Sequence, residues 1–148
     1  MPFRSALLVW LLALSMGLTV GVGLYTFVYA RGASYLTDDP KACVNCHVMR
    51  NEYDGWVKAS HRQAAVCNDC HTPDGIVPKY ASKAYNGFLH SVAFTSGHVP
   101  DAIQLKPYTR AITDHACLKC HADIVEALRV ERGQELSCLR CHRNVGHQ

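Results

Sequence analysis

Three stretches of this chain carry a readable pattern of hydrophobic and polar positions. The first is Ala6 to Ala30, 25 residues without a charge, bounded by Arg4 and Arg31. As a helix rising about 1.5 Å per residue it would reach about 37 Å, enough to cross a hydrocarbon layer of about 30 Å with some tilt. A cleaved signal peptide competes with this reading, and Val28-Tyr29-Ala30 loosely fits a cleavage site. Signal apolar regions usually run about 7 to 15 residues, so the pattern favours a retained anchor over 6–30, with 1–5 as a short cytoplasmic N-terminus. Gly17 and Gly21 have a Gly-x-x-x-Gly spacing that can admit a second helix at close range.

Beyond the anchor, Ala33 to Lys41 reads as a connection ending at Asp39-Pro40. The second patterned stretch is Ile76 to Phe94, which follows a Pro73-Asp74-Gly75 turn. Pro78 suits a first helical turn, and helix formers continue from Lys79, with Gly87 weakening the helix by about 1 kcal/mol. At helical spacing Lys83, Gly87, His90 and Phe94 share one face: a cation, a gap, an imidazole and an aromatic. A solvated lysine and a packed or iron-ligating histidine fit the same pattern. The third stretch, Ile124 to Arg132, predicts a short helix ending at Gly133, with Ile124, Val125 and Leu128 on its packed side.

Candidate chemistry changes the picture more than periodicity does. Cys-x-x-Cys-His occurs four times, at Cys43/Cys46/His47, Cys67/Cys70/His71, Cys117/Cys120/His121 and Cys138/Cys141/His142, and uses all eight cysteines. In this pattern two thiols add to a haem's vinyl groups while the imidazole ligates the iron, so each copy reads as one covalent c-type haem. Zinc sites would need two cysteine pairs each and would leave the repeated histidine redundant. A disulfide framework gives no reason for histidine at one offset four times. The motifs form two close pairs, 24 residues apart from Cys43 to Cys67 and 21 from Cys117 to Cys138, which suggests a duplicated diheme unit.

About 118 residues follow the anchor, too few to wrap four haems in separate cores, so the haems must supply much of the core. The packed side of the 124–132 helix then faces haem. Eight propionates would take the formal charge from +3 to about −5, which removes any argument for nucleic-acid binding from the basic pI. The expected fold is mainly α with much irregular structure: one transmembrane helix and a compact multihaem cytochrome c domain over 31–148. Covalent haem attachment points to the extracytoplasmic side, and Arg31 and Lys41 make the charge rule only weakly supportive. Cys43 lies about a dozen residues beyond the anchor, within reach of a lipid-soluble reductant.

Nine histidines are present and four belong to the motifs, leaving His61, His90, His98, His115 and His147 as candidate sixth ligands. His147 and His115 lie too close to their own motifs to reach the opposite haem face, so they serve a neighbouring haem or none. Met49 stands two residues after His47. By spacing alone it either packs as an apolar side chain or displaces His47 on the proximal face, and packing is favoured.

The anchor, the four motifs, Cys43-Val-Asn-Cys-His-Val-Met49 and Asn68-Asp-Cys-His71 resemble the NapC/NirT family of membrane-anchored quinol dehydrogenases. The short length and terminal Cys141-His-Arg-Asn-Val-Gly-His147 are most similar to the branch of small subunits of cytochrome c nitrite reductase. The resemblance implies that Met49 ligates the first iron in place of His47. It implies that His61 faces His121 at the third haem and that His147 faces His71 at the second. Lys83 matches a lysine of the family's proposed quinol site. His90 stands where relatives can carry an aspartate beside the first haem, which leaves iron ligation and proton acceptance both open. The fourth haem, on His142, has no sixth ligand in the family pattern; close relatives receive a lysine from the catalytic partner, and His98 and His115 are internal alternatives.

The implied protein oxidises quinol in a bacterial cytoplasmic (inner) membrane and delivers electrons to a periplasmic multihaem nitrite reductase catalytic subunit within a multisubunit complex. A relative feeding nitrate reductase or another periplasmic reductase is the nearest alternative. A terminal reductase would need a special Cys-x-x-Cys-Lys haem site, which the chain lacks. A passive haem wire or anchor is the remaining rival.

Overall fold

The structure is a computed structural model describing residues 2–100, 102–132 and 137–147, with side chains described for 4–100, 102–126 and 137–147. The chain divides between Ser34 and Tyr35 into two units. All regular elements among the described residues are helical.

The N-terminal unit is dominated by α1 (Pro2–Tyr29). Its span Arg4–Tyr29 has a mean hydropathy of 2.2 over its most apolar window and no buried residue there. The helix thus starts ahead of the apolar run and takes in most of the segment expected as a separate N-terminus. Ser15 and Thr19 return their hydroxyls to the helix's own carbonyls, Leu12 at 3.0 Å and Ser15 at 2.8 Å, which satisfies them without water. A Cβ at Gly17 or Gly21 would meet nothing within 4 Å. Arg31, in the left-handed region at φ 50°, ends the helical path, and a 3-10 turn follows over Gly32–Leu36.

The second unit carries the motifs on short helices. Asp39 caps α2 (Pro40–Cys43) by accepting from the Lys41 amide at 2.9 Å, so the expected connection ends in a built helix start. A 3-10 turn at His47–Met49 leads into α3 (Arg50–Lys58), and another at Ser60–Gln63 precedes α4 (Cys67–His71). Asp69, in the first turn of α4, accepts from the Val66 amide at 2.8 Å. Gly75, at φ 86° and ψ 149°, provides the backbone that begins α5 (Ile76–Ser96), a conformation costly for any residue with a Cβ. Gly97 closes α5 in the left-handed region, and the His98 amide folds back to the Ala93 carbonyl at 3.1 Å. The boundaries expected for α5 thus hold to within two residues.

The expected last helix is present as the part of α6 (Pro107–Arg132) beyond His121, whose φ −113° and ψ 16° break the helical path and separate it from the part before. Pro107 supplies the start. Val125 is half-buried and Ile124 is exposed, while the Leu128 side chain and the stop at Gly133 lie outside the described residues. A 3-10 turn at Cys138–Arg140 carries the fourth motif. Asp114 of α6 holds it, accepting from Ser137 Oγ at 2.8 Å and the Leu139 amide at 3.0 Å.

The protein's own apolar core is small. Among the described residues only Ala59, Ala116 and Leu139 are buried hydrophobics. A domain of this length held by so little apolar burial fits a design in which prosthetic groups supply the remaining contacts.

Candidate functional site

None of the eight cysteines pairs in a disulfide, and those of successive motifs lie side by side. Cys43 and Cys67 share a hydrogen bond that, aided by the Lys83 ammonium, lowers the Cys43 thiol to about 7 and raises that of Cys67. Burial raises Cys70, with Asp69 adding to it and Cys120 also close by. Burial and the neighbouring Cys138 push Cys117 up to about 11. The first motif therefore adjoins the second, the second the third, and the third the fourth. The two sequence pairs interlock: Lys119 of the third motif bridges back to Asp74 at 2.9 Å and to the Asp69 carbonyl at 3.1 Å.

The histidines are brought together across long sequence separations. His61 and His121 have ring centres 6.2 Å apart, and His71 and His147 have theirs 6.0 Å apart. Two imidazoles ligating one metal from opposite sides would have ring centres about 6.2 Å apart, given metal–nitrogen bonds of about 2.0 Å and about 1.1 Å from each nitrogen to its ring centre. Both pairs fit that spacing. His61 and His147 are also held at Nδ1: His61 Nδ1 lies 3.3 Å from the Val145 carbonyl, and His147 Nδ1 lies 2.8 Å from the Glu52 carbonyl. Such contacts fix a ligating ring's tautomer and leave Nε2 for metal. Burial, with His147 beside it, lowers His71, which keeps that imidazole neutral and able to ligate.

The ends of the motif series are arranged differently. Met49 is half-buried at the entry to α3, whereas His47 on the same turn is exposed. His142 lines a cavity of about 480 Å³ with Cys141, Arg143, Asn144 and Val145. His98 sits in the exposed segment after α5. His115 lines another cavity, of about 360 Å³, beside Thr72, Ile112 and Lys119.

Beside the first motif, α5 presents the predicted strip. The gap at Gly87 is filled by Tyr35, whose ring would lie 3.4 Å from a Cβ added there. The Tyr35 hydroxyl is 2.9 Å from His90 Nδ1. Burial raises the Tyr35 phenol, with Cys46 and Cys43 adding to it, so it stays protonated. Burial lowers His90, and the Lys106 charge acts in the same direction. Lys83 is not a solvated lysine: it is 7% exposed, paired with Asp38 at 2.9 Å, hydrogen-bonded to the Thr37 carbonyl at 2.8 Å, and 5.4 Å from the Tyr80 ring centre. Phe94, by contrast, is exposed.

Asp38 is the hub that sequence reasoning missed. It accepts from Lys79, from Lys83 and, at 2.7 Å, from Asn68 of the second motif. The hydrogen bonds from Lys79 and Lys83 lower its carboxyl to about 2, and Lys79 is raised in return. Nothing local marks Asp38, because its partners lie 30 to 45 residues away.

Comparison with known proteins places the chain in a family. The cytochrome c-type protein NrfH of Wolinella succinogenes is 34% identical, with 97% of this chain and 88% of that protein aligned. The cytochrome c nitrite reductase subunit NrfH of Nitratidesulfovibrio vulgaris is 35% identical over 88% of this chain and 80% of its own. In the crystal structure of a cytochrome c nitrite reductase NrfHA complex bound to the HQNO inhibitor, one chain superposes with a TM-score of 0.65 at 30% identity, covering 91% of this chain and 90% of that one. The family model for the NapC/NirT cytochrome c family, N-terminal region, matches residues 4–148. A single apolar helix followed by motifs for c-type haem, matched from Arg4 to the last residue, makes this chain a membrane-anchored member of the NapC/NirT cytochrome c family.

Proposed function

We propose that this chain oxidises membrane quinol and is the electron-transfer subunit that serves a periplasmic cytochrome c nitrite reductase catalytic subunit, on which nitrite reduction takes place. The resemblance to NrfH proteins over most of their length and to a chain of an NrfHA complex supports that partner. The haem-bearing unit faces the periplasm, and quinol reaches it from the lipid.

Four covalent c-type haems are held by Cys43/Cys46, Cys67/Cys70, Cys117/Cys120 and Cys138/Cys141. Bound haem supplies an iron that exchanges single electrons. His71 and His147 ligate the second iron and His121 and His61 the third, supported by their ring spacing. Met49 ligates the first in place of His47, a reading that rests on the family resemblance and is compatible with its greater burial. His142 ligates the fourth, and the partner completes or covers that site.

The observation that carries the quinol site is the grouping of Lys83, Tyr35 and His90 beside the first motif. Quinol oxidation releases two protons with two electrons, so the site needs a group to bind the quinol oxygen and a base. Asp38 and the Thr37 carbonyl occupy two of the three N–H donors of Lys83 and hold its ammonium in place. The third donor binds the quinol oxygen. His90 is kept neutral by burial, and when its Nδ1–H donates to the Tyr35 oxygen its Nε2 is free to accept a proton; the same arrangement also suits iron ligation, and the variants below separate the two roles.

Reduction of the haems by a quinol, compared with reduction by dithionite, tests the site. Losing one charge-assisted hydrogen bond costs about 1.5–3 kcal/mol, so Lys83→Ala should slow the quinol reaction about 10- to 150-fold. His90→Ala should slow it as well, while dithionite still reduces every haem in both variants. A wild-type quinol rate in either variant removes that residue from the site. Loss of a low-spin haem signal in His90→Ala would instead make it an iron ligand.

A further inference from the structure

The two paired imidazoles that end the second and third haem sites meet different surroundings. His61 Nδ1 faces neutral oxygens, the Val145 carbonyl at 3.3 Å and Ser60 Oγ at 3.4 Å. His147 Nδ1 faces the Glu52 carbonyl at 2.8 Å and also the Glu52 carboxylate, whose Oε2 lies 3.4 Å away. Glu52 thus grips one imidazole with both its backbone and its side chain. It sits in the first turn of α3, where the helix's unsatisfied amides favour a negative side chain and hold it near this position.

Taking His71 and His147 as the axial pair proposed above, we infer that Glu52 is a positioning residue for His147 and that its carboxylate lowers the reduction potential of the second haem. A negative charge beside Nδ1–H draws electron density onto the imidazole, strengthens it as a ligand and favours the oxidised, more positive iron over the reduced one. The third haem, whose distal imidazole meets neutral oxygens, receives no such bias from this position. The C-terminal segment links the two, since Val145 steers one distal imidazole and His147 is the other.

Glu52→Gln separates the charge from the grip, because glutamine keeps the backbone carbonyl and nearly the same side-chain shape. The test uses the full-length, haem-loaded protein extracted from membranes, titrated potentiometrically and followed by low-temperature electron paramagnetic resonance of its low-spin haems. The expected result is that one midpoint potential shifts upward in Glu52→Gln while the others hold, and that Glu52→Asp stays closer to wild type. His147→Ala, measured in parallel, should remove one low-spin signal. If it does so and Glu52→Gln moves no potential, the role of Glu52 is overturned while the ligand assignment stands. If His147→Ala leaves every low-spin signal intact, the axial assignment itself fails and the inference fails with it.

Discussion

The inner two motifs and the outer two are completed in different ways. At the inner sites each motif histidine faces a second imidazole brought from far along the chain, 60 residues for His61 and His121 and 76 for His71 and His147. Those second imidazoles are steered by carbonyls at their other nitrogen. Among the described residues the outer sites show no such imidazole pair: Met49 and His47 share one turn at the first, and His142 lines a cavity at the fourth.

The largest expected effect comes from breaking an inner pair. His61→Ala should convert one haem from low-spin to high-spin and so remove about half of the low-spin signal that the two imidazole pairs give, with haem attachment unchanged. Low-temperature electron paramagnetic resonance and the covalent haem count check both parts. An intact signal would erase the distinction between inner and outer sites at the third haem.

A change at the outer, first site should be narrower. Met49→Leu preserves apolar volume and removes a thioether, so a packing role predicts an unchanged spectrum. Ligation predicts a changed spin state or potential at one haem, with the two imidazole pairs unaffected. Redox-resolved absorption spectra distinguish these outcomes.

The smallest effect concerns the scaffold of the first site. Asp38→Asn leaves Lys83 buried without its charged partner and should cost about 1–3 kcal/mol, read as a lower thermal midpoint. The pH dependence has a definite sign. The folded carboxyl lies near about 2 and an unfolded aspartate near about 3.9, so between these values the unfolded chain binds more protons. The stabilisation is present above about pH 4 and is lost as pH falls through about 2. Asp38→Asn should flatten that part of the acid-stability profile.

Local patterns were legible where the chain decides its own conformation. The start of α5 could be read from Gly75 and Pro78, because a positive-φ entry and a first-turn proline act within a few residues. The first half of α6 was missed because Pro107–Cys120 has no clean apolar stripe, and nothing in the periodicity marks the break at His121. The four motifs were legible because their spacing is itself the chemistry. The pairing of His61 with His121 and of His71 with His147 followed from family resemblance alone, since no local rule links positions so distant. Tyr35 and Asp38 escaped notice for the same reason: they act on His90, Lys79, Lys83 and Asn68 through tertiary contacts.

The central claim is that the first site takes electrons from quinol and the inner pairs relay them. The most direct measurement is anaerobic reduction of the purified, full-length protein in detergent by a menaquinol analogue, with no nitrite reductase catalytic subunit present. The account predicts rapid haem reduction that slows at least about tenfold in Lys83→Ala, while dithionite reduces both proteins fully. Haems that stay oxidised with quinol, yet are reduced by dithionite, would contradict it and leave this chain a passive relay.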